Sequence, residues 1–173
     1  MPQFHRFTEG EYCYFVTTSV QARRPLFRDA RLCQILLENL RFYRDRMKFS
    51  LHGYVIMPDH MHLLITPRQP ATISDIVRNL KSYAGKEVRQ ALGGSGPIWQ
   101  RRFYDRVIRS EKQFRATLDY IHVNPVRAGI VRSAEEYEFS SYRFWEEGDG
   151  LLSLDPLDGH GWGRDLQEED ISG

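Results

Sequence analysis

The sequence has few of the features that mark secreted, membrane-spanning or repetitive proteins. Its two cysteines, Cys13 and Cys33, form no CxxC pair, and such sparing use is typical of a reducing cytoplasm. No window approaches the roughly 18 apolar residues of a membrane-spanning helix, and residues 1–10 contain no apolar signal core. No internal repeat or heptad pattern is present. We therefore expect a cytoplasmic protein; 41% of its 173 residues are hydrophobic, enough for an ordinary core.

Net charge is also nearly absent, but the charges are unevenly distributed. Residues 1–135 carry 22 basic and 12 acidic side chains, a net of +10, whereas residues 136–173 carry 2 and 11, a net of −9. A basic body favours a polyanionic partner. The alternative is a solvated tail on an ordinary protein. We predict one domain over residues 1–145 and an acidic, flexible tail over residues 146–173.

Hydrophobic periodicity predicts the element order β-α-β-β-α-β-α. The predicted strands cover residues 11–20, 49–57, 60–66 and 103–109. The predicted helices begin at Asp29 and at the capping-box patterns that open with Thr72 and Ser110. The third should end near Asn124, because Pro125 disfavours helical geometry in the residue before it. This order predicts an α+β fold with helices packed on one face of an antiparallel sheet.

Two histidines stand one residue apart in VIMPDHMHLLITP, residues 55–67. Side chains alternate between the faces of a strand, so His60 and His62 lie on one face, about 7 Å apart, and Met61 on the other. Two imidazoles on one face can share a metal ion if a third ligand is available. The alternative is a pair of surface histidines on a half-buried strand.

A second pattern lies in LDYIHVNPV, residues 118–126. Tyr120 and Asn124 are four residues apart on the predicted third helix, so they project from the same side, one turn apart. They fall beside the apolar stripe of that helix. The alternatives are a tyrosine at the edge of the core and a plain helix cap at Asn124.

Phosphate chemistry would connect these two patterns. A free tyrosine hydroxyl has a pKa near 10 and is a poor nucleophile at neutral pH. A metal on the phosphate would stabilise the charge that develops at phosphorus and help a 3′-hydroxyl to leave. Asn124 would add an oxygen ligand to the two imidazole nitrogens, and Tyr120 would attack. These ligands suit Mg²⁺ or Mn²⁺, although Zn²⁺ fits the ligand types equally well.

Basic side chains lie on the predicted second helix and in WQRRFYDRVIRS, residues 99–110. A tryptophan among arginines is typical of single-strand binding, where bases stack and guanidinium groups pair with phosphates. The alternative is a basic loop with one buried tryptophan. The residues that we expect to contact DNA are Arg78, Lys81, Lys86, Arg89, Trp99, Arg101, Arg102, Arg106 and Arg109.

Three segments, HGYVIMPDHMHLLI, IWQRRFYDRVIRS and LDYIHVNPVRAGIV, together resemble the single-tyrosine HUH transposases, in particular the REP-associated tyrosine transposases of bacteria. The resemblance extends over about residues 10–145. It implies a ferredoxin-like antiparallel sheet with helices packed on it. It also implies cutting and rejoining of single-stranded DNA beside imperfect hairpins, the repetitive extragenic palindromes. It favours a monomer, with a dimer left open.

The resemblance further implies roles for individual residues. His60 and His62 match the family's metal-binding histidine pair, Asn124 matches the third ligand, and Tyr120 matches the nucleophile that forms a 5′-phosphotyrosine link. Asp59 stands where many relatives carry asparagine, which we interpret as an exchange of one turn former for another. The expected activity is that of a Mg²⁺-dependent single-strand DNA endonuclease and strand transferase, with Mn²⁺ as the other suitable metal.

Two other functions stay open. A DNA-binding module without catalysis would keep the basic surface but would not need Tyr120 and Asn124 in register with the histidine pair. A histidine-based nucleotide phosphohydrolase also uses alternating histidines on a strand, one of them as nucleophile. The third alternating position holds Leu64, which argues against this second function.

Overall fold

A computed structural model describes residues 12–155 of the chain, and its elements follow the predicted order. The strands are β1 (Cys13–Ser19), β2 (Phe49–Met57), β3 (His60–Pro67) and β4 (Tyr104–Ile108). The helices are α1 (Ala30–Arg46), α2 (Ile73–Leu92), α3 (Glu111–Arg127) and the short α4 (Tyr142–Glu147). Within this described part, no helix is long and apolar enough to cross a membrane.

Side-chain caps begin the three long helices where the sequence predicts them. The side chains of Asp29, Thr72 and Ser110 each accept a hydrogen bond from a backbone N–H in the first turn. Each bond satisfies a donor that the start of a helix leaves without a partner. α2 ends at Gly93, whose φ of 62° lies in the left-handed region that glycine adopts without strain.

α3 is longer than predicted, because the helix continues through Pro125 to Arg127. The Ala128 N–H donates to the Asn124 carbonyl at 2.9 Å, so the last turn closes across the proline. The end predicted near Asn124 was therefore wrong. The restriction on a residue before proline is a preference, and here Pro125 is buried inside the helix.

The four strands form one antiparallel sheet in the order β2-β3-β1-β4. With α1 and α2 as connections, this is the ferredoxin-like arrangement that the resemblance implies. β2 and β3 form a hairpin in which Met57 pairs with His60 around the turn at Pro58 and Asp59. The α+β fold is thus confirmed, with the histidine pair at the start of an inner strand.

Helices cover both faces of the sheet, whereas the sequence predicts one. α1 and α2 pack on the face of Met61, Leu63 and Ile65, which we call the α1/α2 face. α3 packs on the opposite face, against Phe15 and Leu64, which we call the α3 face. The central strands are apolar on both faces, so a single layer of helices would leave apolar side chains in water.

α3 approaches the sheet closely where β2 has no side chain. A Cβ at Gly53 would lie 2.8 Å from Leu118 Cδ1, too close for an ordinary contact. The helix is also tied to the sheet by hydrogen bonds: His122 Nε2 lies 2.8 Å from Ser141 Oγ, which accepts from the Tyr54 N–H at 3.0 Å. These contacts hold α3 in position along β2.

The folded domain extends past residue 145. Leu152 and Leu154 are buried in the core of the α1/α2 face. The Asp155 N–H donates to the Leu51 carbonyl at 2.8 Å, and arginines of α1 donate to carbonyls of residues 151 and 153. Residues 146–155 therefore belong to the domain, which corrects the predicted start of the tail. Residues 1–11 and 156–173 lie outside the described residues.

Candidate active site

β3 places His60 and His62 side by side on the α3 face, as strand alternation predicts. Their ring centroids are 4.7 Å apart. His62 is 4% exposed, and the side chain of His60 is 15% exposed. Both imidazoles are thus largely shielded from water, unlike ordinary surface histidines.

α3 brings Tyr120 next to this pair on the same face of the sheet. The Tyr120 ring lies 5.6 Å from the His62 ring and 6.0 Å from the Phe15 ring, between centroids. The tyrosine remains 41% exposed, so a substrate can reach part of the residue. Asn124, half-buried, follows one turn later on the same side of α3. Residues sixty positions apart in the chain therefore meet at one site.

Each histidine is held through the same ring nitrogen. His62 Nδ1 lies 2.7 Å from Thr17 Oγ1 on the neighbouring β1. His60 Nδ1 lies 2.7 Å from Asp59 Oδ1. A bond at one imidazole nitrogen fixes the ring orientation and leaves the other nitrogen for a ligand. His62 Nε2 is buried and has no hydrogen-bond partner among residues 12–155.

The environment of His62 keeps its imidazole neutral at physiological pH. Burial, together with smaller contributions from the nearby His60 and the positive charge of Arg23, lowers its pKa to about 3. A neutral imidazole has a lone pair to offer a metal ion, whereas a protonated one does not.

Asp59 is ionised beside the pair. Burial alone would raise the pKa of this carboxyl group. The hydrogen bond with His60 and the charge of Arg23 outweigh that effect and lower the pKa below its ordinary value. Arg23 Nε lies 3.0 Å from Asp59 Oδ2. The structure therefore gives Asp59 contacts that its role as a turn former does not require.

The residues at the site fit a divalent metal ion. A buried imidazole nitrogen without a partner is an expensive group unless something binds it. In the described part of the chain, no three side chains of the His, Cys, Asp and Glu types are grouped to hold a metal. An ion at the histidine pair would therefore need an amide oxygen such as that of Asn124, or oxygens from water or substrate.

Comparison with known proteins identifies the family of the chain. The family model of IS200-like transposases matches residues 10–124, more than half of the chain. The chain belongs to this family. The transposase is 28% identical to the REP-associated tyrosine transposase of Escherichia coli (strain K12), over 97% of this chain and 94% of that protein.

Other relatives place the transposase in the same group. It is 31% identical to a Haemophilus influenzae protein assigned to the REP-associated tyrosine transposases, over 79% of this chain and 82% of that protein. A solved structure of a REP-associated tyrosine transposase bound to a REP hairpin matches with a TM-score of 0.69 and 27% identity. That match covers 95% of this chain and 98% of the other. Both the family and the fold expected from the sequence are confirmed.

Most of the predicted DNA-binding residues are exposed cations. Arg106 lies nearest to the site: its guanidinium carbon is 5.6 Å from the Phe15 ring centroid, and its Nη2 donates to Thr117 Oγ1 at 3.2 Å. Arg78 forms an ion pair with Asp75 at the start of α2. The remaining exposed or half-exposed arginines and lysine of the predicted set are Lys86, Arg89, Arg101, Arg102 and Arg109.

Two members of that set have structural contacts instead. Trp99 is 7% exposed, and its ring packs against Phe27 at 5.4 Å between centroids, so it offers no open face for a base. Lys81 Nζ donates to the backbone carbonyls of Gln100, Arg101 and Arg102 at 2.7, 3.2 and 3.4 Å. Burial lowers the pKa of Lys81. Lys81 and Trp99 therefore both have contacts that shape the basic loop, and their predicted contact with DNA stays a prediction.

A groove of about 530 Å³ opens between α2 and residues 97–103. The loop joins the sheet next to the site, because the Gln100 N–H donates to the Ser19 carbonyl at 2.8 Å and Ser19 pairs with His60. The cations of its wall are Arg78, Lys81, Arg89 and Arg101. A positively charged groove thus begins beside the first residue of β3, the strand that carries the histidine pair.

Several site residues were not predicted. Thr17 and Phe15 reach the site through the register of β1 with β3, which the sequence does not reveal. Tyr104 of β4 is 57% exposed and pairs with Thr17 of β1, so it lies on the α3 face too. Arg23 reaches Asp59 from a turn after β1. A signal did exist for Asp59, because a carboxylate directly before a histidine can anchor its ring.

Proposed function

We propose that this transposase cuts and rejoins single-stranded DNA beside a hairpin, with Tyr120 as the nucleophile. The observation that supports this most strongly is the contact between the exposed Tyr120 ring and the buried His62 ring. A tyrosine at the edge of a core would not need two anchored imidazoles beside it. The relatives named above are tyrosine transposases, and one was solved with a REP hairpin bound.

The proposed chemistry exchanges one ester bond for another. The Tyr120 hydroxyl oxygen attacks the scissile phosphorus and forms a tyrosine–phosphate bond, and its proton passes to water. The bond from phosphorus to the 3′ oxygen breaks, and that oxygen takes a proton from water to become a 3′-hydroxyl. A second 3′-hydroxyl reverses the step and releases Tyr120. The phosphodiester energy is retained, so no nucleotide needs to be hydrolysed.

A divalent metal ion, Mg²⁺ or Mn²⁺, would be held by His60, His62 and Asn124. When bound, it would supply positive charge to the scissile phosphate. The neutral state of His62 and the Nδ1 bonds of both rings support this assignment. The third ligand rests on the position of Asn124 one turn from Tyr120, on the same side of α3.

The DNA would lie across the α3 face and along the basic groove. Arg106, anchored by Thr117 beside Phe15, keeps further N–H groups for a phosphate near Tyr120. The exposed Tyr104 on the same face offers a stacking surface for a base, a role that the buried Trp99 does not fill. The cations of the groove wall would follow the backbone of the adjoining strand.

A tyrosine exchange tests the proposal. Hairpin oligonucleotides with single-stranded flanks, taken from the DNA around the gene, are incubated with the full chain and Mg²⁺. We expect a covalent protein–DNA band on a denaturing gel with the wild type and none with Tyr120→Phe. The matched control is Tyr83→Phe, because Tyr83 is 43% exposed but lies on α2, where its ring stacks on Tyr43.

The outcomes separate the candidate functions. Equal cleavage by the wild type and Tyr120→Phe would overturn the tyrosine mechanism. Hairpin binding without cleavage by the wild type would favour the non-catalytic module. Cleavage with a covalent link to histidine would favour the phosphohydrolase type of chemistry.

A further inference from the structure

The two histidines of the site differ in what holds them. His62 Nδ1 meets a neutral hydroxyl group, that of Thr17, at 2.7 Å. His60 Nδ1 meets a carboxylate, that of Asp59, at the same distance. A carboxylate acceptor requires a proton on Nδ1, so it selects the tautomer whose Nε2 carries the lone pair. It also makes the ring a stronger donor to a metal than a neutral acceptor does.

Asp59 is itself held from two sides. Its Oδ2 lies 3.0 Å from Arg23 Nε, and Arg23 Nη1 donates to Ser19 Oγ at 2.8 Å. Its backbone carbonyl accepts from the Val20 N–H at 2.8 Å. The carboxylate therefore cannot rotate away from His60 without losing the ion pair with Arg23.

The turn that carries Arg23 is strained. Ala22 and Arg23 have φ values of 57° and 52°, in the left-handed region that residues with a Cβ seldom adopt. Arg23 lies in this turn, and its side chain, 53% exposed, still reaches the half-buried Asp59 at the end of the hairpin. Strain of this kind persists where the surrounding contacts enforce it, and it clusters at functional sites.

We propose that Asp59 and Arg23 act as a positioning pair for His60. Asp59 accepts the Nδ1 proton of His60 and so presents Nε2 as the ligand atom. Arg23 keeps the carboxylate in place. Neither residue touches the reacting atoms. The proposal rests on the proposed function only in that His60 is taken to bind a metal; the tautomer itself can be measured without one.

The first experiment measures the tautomer in the metal-free full chain. Long-range ¹H–¹⁵N spectra of histidine-labelled protein are recorded in mildly alkaline buffer, above the ordinary titration range of imidazole. We expect His60 of the wild type in the Nδ1–H form. Asp59→Asn should retain this form, because its amide oxygen still accepts the proton. Asp59→Ala should shift His60 toward the Nε2–H form and leave the His62 signals in place.

Two results in these spectra would overturn the proposal. One is a wild-type His60 in the Nε2–H form, and the other is an unchanged tautomer in Asp59→Ala. The matched control is Asp45→Ala, which removes an aspartate whose Oδ1 lies 3.6 Å from Arg68 Nη2, away from the site. It should leave both histidines unchanged. Unchanged His62 signals also show that Asp59→Ala is folded.

The second experiment measures Mn²⁺ affinity by the loss of the free-ion electron paramagnetic resonance signal. Removal of an outer-shell partner typically weakens metal binding about 10–100-fold. We expect a loss in that range for Asp59→Ala, a smaller loss for Asp59→Asn and for Arg23→Ala, and wild-type affinity for Asp45→Ala. An Asp59→Ala affinity within about twofold of the wild type, well outside that range, would contradict the positioning role.

The two experiments keep this inference apart from the proposed function. A wild type that binds no Mn²⁺ would overturn the metal assignment, and the spectra would still decide whether Asp59 sets the tautomer of His60. Conversely, normal DNA cleavage by Asp59→Ala with weakened Mn²⁺ binding would support the pair, while showing that binding is not limiting at the metal concentration used.

Discussion

The two faces of the sheet differ in what β3 contributes to them: core side chains on the α1/α2 face and the histidine pair on the α3 face. Met61, Leu63 and Ile65 of β3 are buried against α1 and α2 in the larger hydrophobic core. His60 and His62 alternate with them and lie on the α3 face. There α3 covers only part of the sheet, and the uncovered part carries the polar site. The apolar packing on one face thus supports a polar arrangement on the other.

This difference indicates how a small domain can remain stable although a buried imidazole nitrogen has no hydrogen-bond partner among the described residues. Desolvation of His62 is unfavourable, as its lowered pKa indicates. The α1/α2 face contributes most of the large, fully buried side chains, among them Leu36, Leu37 and Tyr54. We therefore expect substitutions in the α1/α2 core to lower stability more than activity. Substitutions of the histidine pair on the α3 face should lower activity more than stability.

The largest expected effect is the loss of activity in His62→Ala. Removal of a proposed metal ligand should lower the cleavage rate at least about 100-fold, since even the loss of a group that only orients a ligand costs up to that factor. The free energy of unfolding should change less than for a substitution on the opposite face. Gel-based cleavage rates and urea denaturation check both statements. A cleavage rate of His62→Ala near that of the wild type would show that His62 is not part of the active site.

Leu63→Ala, one residue further along β3, should have the reverse effect. Leu63 is 2% exposed in the α1/α2 core, and truncation of such a leucine costs about 2–5 kcal/mol of unfolding free energy. Cleavage per folded molecule should stay close to that of the wild type. Urea denaturation gives the first quantity, and cleavage rates corrected for the folded fraction give the second. A loss of activity beyond the unfolded fraction would mean that the faces are not independent.

Gly53→Ala should have a smaller effect that reaches the site through α3. The added Cβ would lie 2.8 Å from Leu118 Cδ1, so the side chain or the helix that carries Tyr120 must shift. Overpacking of this kind costs about 1–3 kcal/mol. The double variant with Leu118→Ala should recover part of the cleavage rate lost by Gly53→Ala. Additive effects in that double-mutant cycle would show that the close approach does not position Tyr120.

The smallest expected effect is a pH dependence from His122, a buried imidazole of α3 that lies outside the site. Burial lowers its pKa from the ordinary imidazole value of about 6.5 to about 4. The unfolded chain therefore binds more protons below pH 6.5, and stability falls as the pH falls from 6.5 toward 4. We expect His122→Gln to lose about 1–2 kcal/mol less than the wild type between pH 7.5 and pH 5, at 1.36 kcal/mol per pKa unit.

The control for this effect is measured on the same samples. His122→Gln keeps a donor for Ser141, so its stability at pH 7.5 should remain near that of the wild type. Equal losses on acidification in both proteins would show that His122 does not carry this dependence. Denaturation by urea at the two pH values provides the comparison.

The local chemistry of the chain is predictable from the sequence. The caps at Asp29, Thr72 and Ser110 follow from side chains that satisfy nearby backbone N–H groups. Strand alternation alone places His60 and His62 on one face. In each case the residues involved lie within a few positions of one another, so the local sequence is enough to predict the structure.

The features that depend on distant contacts are not predictable in this way. The bond from Thr17 to His62 requires the register of β1 with β3, and one step of slip would reverse every side chain. The burial of Trp99 depends on packing against Phe27, some seventy residues earlier. Likewise, the leucines of residues 151–154 enter a core whose other members come from earlier elements.

The central claim is that Tyr120 on the α3 face becomes covalently linked to DNA. The most direct measurement is mass spectrometry of the gel-purified protein–DNA adduct after digestion with a protease and a nuclease. We predict that the residual nucleotide is attached to the peptide that contains Tyr120, through its phenolic oxygen. A nucleotide on His60, His62 or another tyrosine such as Tyr104 would contradict the account, as would cleaved DNA with no covalent adduct.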